Sequence, residues 1–241
     1  MEEKLKTGVN AQLRMHHAGG PVSRLLRSQR NKLVEAFFAF VGNAKQDRIL
    51  SICMQRSPFS DSADRLIGSA EGRQRNTIIS YALPWQTAQD PGARSLRLPY
   101  ADAQFDWIYC DEVLEHVGGF ERQYELLSEL SRIARKGLFI TCGNRWHPIQ
   151  FDTGLPLLHW LPKPVWRGML KLLGKGAWAS EGTLEPCGSA TLYRLASLLP
   201  GTPRHDVGHK RIFGIKAHFF LMVEKSVARA SKDAAGTGTA G

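Results

Sequence analysis

The chain has 241 residues, 43% hydrophobic and 22% charged, which is enough for one α/β domain with a sizeable core and argues against a disordered chain. Lysine and arginine total 32 against 22 acidic residues, a formal charge of +10. That balance suits an acidic partner, such as a phosphate-bearing substrate, an anionic membrane surface or nucleic acid, and equally a basic enzyme with no polyanion partner. Cys53, Cys110, Cys142 and Cys187 form no CxxC pair, which removes zinc-ribbon and dithiol redox motifs. No run of about 18 apolar residues appears, so no membrane span is expected. The amino terminus is polar and charged, so no secretory leader is expected and a reducing cytoplasm fits best.

Residues 1–20 are polar and read as a flexible amino terminus. From Pro21 the pattern turns helical, with Leu26, Leu33, Val34, Phe37 and Val41 on one face and Gly42-Asn43 as the stop. Ile49 to Cys53 is a short apolar run that reads as a buried strand. Pro58 marks a loop, and a short helix is expected near 61–70. Thr77 to Tyr81 reads as a second strand, and residues 82–95 are rich in turn formers.

Phe105 to Cys110 is a third strand. The strongest helix pattern covers 119–135, with Arg132, Arg135 and Lys136 at its carboxyl end, Gly137 as its stop, and a fourth strand over Leu138 to Cys142. Strands alternating with helices imply a parallel sheet covered on both faces. Residues 143–187 break that rhythm with five prolines and four tryptophans. They read as an insertion or lid within a domain spanning 21–225. A helix is expected over 188–199 and strands near 203–209 and 212–223. The tail, 226–241, is small and polar and is expected to be disordered.

The stretch Leu98-Pro99-Tyr100-Ala101-Asp102-Ala103-Gln104-Phe105-Asp106, continuing through Trp107-Ile108-Tyr109-Cys110-Asp111-Glu112-Val113-Leu114-Glu115-His116, resembles the "LP-[FY]-x-D-x-x-FD-x-[VI]…E-x-LEH" segment of class I S-adenosylmethionine-dependent methyltransferases of type 11. The segment Asn144 to Pro162 is similar to an insertion that covers the acceptor pocket in some of them. The resemblance implies a doubly wound, mostly parallel, seven-stranded Rossmann-like methyltransferase sheet with helices on both faces and an insertion after the fifth strand. It also implies S-adenosylmethionine as the cofactor, held near Ser51, Cys53, Gln55, Ser80, Leu98, Cys110, Asp111 and Glu112.

The departures are specific. The family's first strand ends in an acid followed by glycines, where this chain has Ser51, Cys53 and Gln55. The ribose-binding acid becomes Ser80, and the acid before Leu98 becomes Arg94. Each lost charge-assisted hydrogen bond costs roughly 1.5–3 kcal/mol. The stretch from Ser80 to Leu96 is short for a helix plus a strand, so the second crossover is expected to be truncated.

His116 and Glu115 are the catalytic candidates, His116 as a base where the acceptor must lose a proton. The plainer reading has both packing the turn. His147, His159 and Trp160 are the acceptor-binding candidates, with packing beside aromatics as the histidines' alternative. Cys53, Cys110 and Cys142 end three strands, where thiols beside His116 or His147 suit a metal. Core packing is the preferred reading, and no metal is assigned. Residues 155–174 combine leucines and tryptophans with Lys163, Arg167 and Lys171, which suits either a packed lid or peripheral contact with the inner face of a membrane. Two functions follow: methyl transfer to a small-molecule or lipid-linked acceptor, or a non-catalytic methyltransferase-fold protein serving binding or assembly. Nucleic-acid binding rests on net charge alone and is not favoured.

Overall fold

In a computed structural model of the chain, the described residues are 21–42, 46–54, 66–67, 77–84, 96–150, 153, 155–179, 184–185 and 187–225. Helix α1 spans Pro21–Val41. It ends where Gly42, at φ +70°, donates its N–H to the Phe38 carbonyl at 3.0 Å, a left-handed stop that glycine takes without strain. Most of the expected short helix near 61–70 lies outside the described residues; within it, Leu66 is buried.

Strands β1 (Arg48–Met54), β2 (Thr77–Leu83), β3 (Phe105–Asp111) and β4 (Ala134–Gly143) pair in parallel. Strands β5 (Ile149–Gln150) and β6 (Leu155–Pro156) form a separate small ribbon. Strands β7 (Arg204–Ile212) and β8 (Ile215–Glu224) form a hairpin antiparallel to β4. The main sheet runs β2-β1-β3-β4-β8-β7. It therefore has six strands among the described residues rather than the expected seven, and β2 forms one edge. Residues 85–95, the short second crossover, lie outside the described set, as do 1–20 and 226–241.

Helix α2 (Phe120–Ile133), helix α3 (Lys163–Leu172) and helix α4 (Ser189–Ser197) complete the fold. The sheet's alternation sorts its side chains between two cores. On one face Ile49, Trp107, Tyr109, Phe139 and Phe220 pack against Leu33 and Phe37 of α1. On the other, Leu50, Ile52, Ile108 and Ile140 pack under Leu127 and Leu130 of α2 and Leu195 of α4. The rings of Tyr109, Phe139 and Phe220 stack across β3, β4 and β8, with centroids 5.9 and 5.0 Å apart.

The expected end of α2 is corrected. The helix stops at Ile133, and Arg135, Lys136 and Gly137 belong to β4. Both basic side chains are claimed by the sheet's amino-terminal edge. Arg135 Nε donates to Asp106 at 2.8 Å, and Lys136 Nζ donates to Asp47 at 2.7 Å. Asp47 also accepts from the indole of Trp107 at 2.8 Å. Long-range pairing thus outweighs the local preference of basic residues for a helix end.

The motif before β3 is anchored to α2. The Leu98 N–H donates to Glu129 at 2.7 Å, and Arg132 bonds the Tyr100 carbonyl at 2.8 Å, Glu129 and the Asp102 carboxylate. Burial would raise the pKa of Asp106 and of Glu129. For Asp106 the Arg48 N–H and Arg135 outweigh burial, and for Glu129 Arg132 and the Leu98 N–H do, so both are lowered. A lowered carboxylate stabilises the fold fully above its unfolded pKa of about 4, and that contribution is lost as the pH falls through the folded value. Asp106→Asn and Glu129→Gln are therefore each expected to flatten the acid limb of stability against pH, measured by urea unfolding between about pH 3 and 6.

Candidate functional site

In an open α/β sheet the ligand crevice lies beyond the carboxyl ends of the parallel strands. Here β1, β3 and β4 end side by side, and the antiparallel β8 begins beside β4. A polar cluster occupies this edge. Glu112 follows β3 at φ +52°, a conformation that costs a non-glycine residue on the order of 1–3 kcal/mol. Its carboxylate takes a bond from Arg30 of α1 and lies 3.1 Å from His218 Nε2 on β8. Its N–H donates to Thr141 Oγ1 of β4 at 3.0 Å. Four elements therefore meet on one residue.

Asp111 shares the cluster. Its Oδ1 accepts from Thr141 Oγ1 at 3.0 Å and from the Tyr109 hydroxyl at 3.4 Å. Arg30, Asp111 and His218 are all buried, and a buried charge persists only when paired and bonded.

The remaining sequence candidates fall into three groups. Ser51 and Cys53 lie on β1, with Ser51 paired in register to Ser80 on β2 and to Tyr109 on β3. Ser51 is fully buried and its Oγ has no hydrogen-bond partner, while Ser80 is exposed. Cys110 and Leu98 are buried in the core under α2. Gln55 and Arg94 lie outside the described residues. Burial, then the nearby Asp111 and Cys53, pushes the Cys110 thiol far above its usual range. A hydrogen bond with Cys187, then burial, raises Cys142. Such thiols stay protonated at neutral pH and are inert as nucleophiles. Among the described residues no group of three His, Cys, Asp or Glu side chains is placed to hold a metal ion.

Glu115 and His116 occupy a short 3-10 turn, Leu114–His116, and both are buried. Glu115 accepts from the Gly143 N–H at 3.3 Å, and its carbonyl accepts from the Glu185 N–H at 2.8 Å. The His116 ring lies 6.1 Å from that of Trp178. Both candidates thus join the sheet edge to the inserted segment. Glu185 in turn binds Lys163 at 2.5 Å and Arg167 at 2.9 Å on α3.

His147 and His159 are brought together, with His159 Nε2 2.9 Å from the His147 carbonyl. Burial lowers both pKa values, with the neighbouring His218 adding to the effect at His147. His147 therefore borders the Glu112 cluster through His218. Trp160 stands apart on the outer surface. Arg30, Thr141 and His218 were not singled out from sequence. Arg30 is one basic residue among many in a helix, and His218 comes from a strand 106 positions beyond Glu112 in the chain.

Residues 80–141 match the family model described as a methyltransferase domain. No curated protein matches the chain significantly. Among solved structures, the chain is similar to magnesium protoporphyrin IX methyltransferase from Synechocystis with bound SAH, at 14% identity, TM-score 0.47, and coverage of 92% of this chain and 95% of that one. It is also similar to a cyclopropane-fatty-acyl-phospholipid synthase-like protein from Lactobacillus casei, at 13% identity, TM-score 0.48, and coverage of 93% and 100%. A third likeness is to the N-methyltransferase NodS from Bradyrhizobium japonicum, at 10% identity, TM-score 0.42, and coverage of 92% and 96%. These are loose likenesses of overall shape. The matched residues run from within β2 to within β4 and carry Asp111 and Glu112, so the likeness to a methyltransferase domain falls on the parallel part of the sheet.

Proposed function

We propose that this protein transfers a methyl group from S-adenosylmethionine to a small-molecule or lipid-linked acceptor. The observation that carries the reading is the methyltransferase-domain match ending on the strand beside the Asp111–Glu112 cluster. When bound, S-adenosylmethionine supplies an electrophilic methyl group on a positively charged sulfur.

The residues at the edge suit such a guest. Ser51 offers a buried hydroxyl without a partner, and Asp111 and Glu112 place carboxylates where a cationic ligand gains from them. Met54, Leu83, Leu96 and Leu98 form an apolar cluster suited to an adenine ring. Cys53, Gln55, Ser80 and Cys110 complete the proposed donor contacts. On the acceptor side, the proposed contacts are His147 and His159 of the insertion, with Trp160 meeting the acceptor from the outer surface. His116, oriented through the Glu115 turn, takes a proton where the acceptor must lose one. Peripheral contact of residues 155–174 with the inner face of a membrane belongs to the same reading.

Titration calorimetry with S-adenosylmethionine and with S-adenosylhomocysteine tests it. Saturable binding is the expected result, weakened by Asp111→Asn. Absence of heat at high micromolar donor would overturn it. One observation favours the second reading, a non-catalytic member used for binding or assembly. Cys53 presents a buried side chain where the resemblance calls for a glycine that admits the donor. Donor copurifying with the protein would dismiss that alternative.

A further inference from the structure

Of the thirteen large hydrophobic side chains exposed among the described residues, eight fall between Trp146 and Leu173 and two more at the β7–β8 hairpin. A contiguous exposed apolar patch marks an interaction surface. The two most exposed aromatics are Phe213, at 88%, and Trp146, at 64%. They come from segments far apart in sequence, and Asn144 joins them. Its N–H donates to the Ala217 carbonyl at 2.8 Å, and its side-chain amide donates to the Lys216 carbonyl at 2.7 Å. The hairpin tip therefore sits beside the start of the insertion, at the carboxyl edge of the sheet.

Phe213 adopts φ +48° and precedes Gly214 at φ +81°. A phenylalanine in the left-handed region is strained, and its ring lies in solvent. Basic residues predominate in the segments that carry these rings, with Glu185 pairing Lys163 and Arg167. Residues 207–217 carry Lys210, Arg211 and Lys216 and no acidic residue. Residues 144–179 carry five basic residues against one acidic residue, Asp152. The guanidinium of Arg145 lies over the Trp146 ring, 5.6 Å from its centroid. On α3, Trp166 and Leu170 are buried, while Val165 and Leu172, seven residues apart on one face, are exposed.

Exposed aromatic tips ringed by lysine and arginine match the interface of an anionic bilayer: the rings enter the headgroup boundary and the cations meet phosphate. We propose that Phe213, Trp146 and the outer stripe of α3 form an edge that docks on an anionic lipid surface. The parallel strands end at this same carboxyl edge, where open α/β sheets bind their ligands, so docking turns that edge toward the bilayer. The proposal extends the lipid-linked acceptor reading and rests on it only for the acceptor's source. Vesicle binding needs no donor, so docking and methyl transfer fail separately.

The test is co-sedimentation of the full chain with vesicles of phosphatidylcholine alone and of phosphatidylcholine with phosphatidylglycerol. Binding to the second and not the first is expected, weakening as salt rises. Phe213→Asp and Trp146→Ser are each expected to lose about tenfold in partition, and Lys210→Glu with Arg211→Glu a similar factor. Circular dichroism of each variant should match the parent, because both aromatic side chains are exposed. Failure of the folded parent to bind anionic vesicles overturns the proposal, as does binding unchanged in both aromatic variants. A dimer in sedimentation velocity that Phe213→Asp dissolves, with no vesicle binding by the parent, overturns it in favour of a second copy as the occupant.

Discussion

Glu112→Ala is expected to lower the unfolding free energy by about 3–5 kcal/mol, because it removes a charged partner from the buried Arg30 guanidinium and from His218. Both groups are buried in the folded chain and pair with this carboxylate. The measurement is the urea midpoint at constant slope. A companion variant separates stability from chemistry. Arg30→Met combined with Glu112→Leu removes both charges together and is expected to recover much of the loss, since a buried pair replaced by apolar groups of similar volume is often neutral or better. That double variant should still lose donor binding, because it deletes one of the two carboxylates proposed for the donor. An Ala variant with an unchanged midpoint would show that Glu112 is not the junction of α1, β3, β4 and β8.

Gly137→Ala is expected to destabilise by about 3 kcal/mol, a fall in Tm of roughly 6–12 °C for a chain of this size. A Cβ at Gly137 would lie 2.4 Å from the Val223 carbonyl oxygen and 2.7 Å from the Trp107 ring. The carbonyl belongs to the β8 ladder and cannot swing aside, and Trp107 is tied to Asp47. Gly168→Ala is the contrast. It lies in α3 with nothing within 4 Å of its added methyl, so the better helix propensity of alanine should raise stability by up to about 1 kcal/mol. Differential scanning calorimetry of the two variants checks both signs.

Gly137 also shows where local pattern misleads. Arg132, Arg135, Lys136 and Gly137 look like the end of a helix when read along the chain, and only the first of them is one. Asp47 and Asp106 lie 89 and 29 positions from their basic partners Lys136 and Arg135. No window of local sequence contains that competition. The Leu98 motif is a related case. Its residues were legible as a unit, but the anchoring of the loop by Glu129 and Arg132 of α2 was not, because it depends on the next crossover packing back.

The sequence by itself determined most of the main elements and carried a resemblance to one family. Apolar runs of five or six residues placed β1 to β4 within a few residues of their bounds, the period of Leu33, Phe37 and Val41 placed α1, and the stretch from Leu98 to His116 carried the methyltransferase resemblance. These signals are local, fixed by burial at a helix or strand repeat. The tertiary structure decided which polar residues meet. It gathered Arg30, Glu112, Thr141 and His218 at one edge, set His147 against His159, and tied Asn144 at the start of the insertion to Lys216 and Ala217 of the hairpin. The first of these joins side chains from elements far apart in the chain. Its energy comes from removing charges and rings from water together, a quantity that exists only once the sheet has assembled.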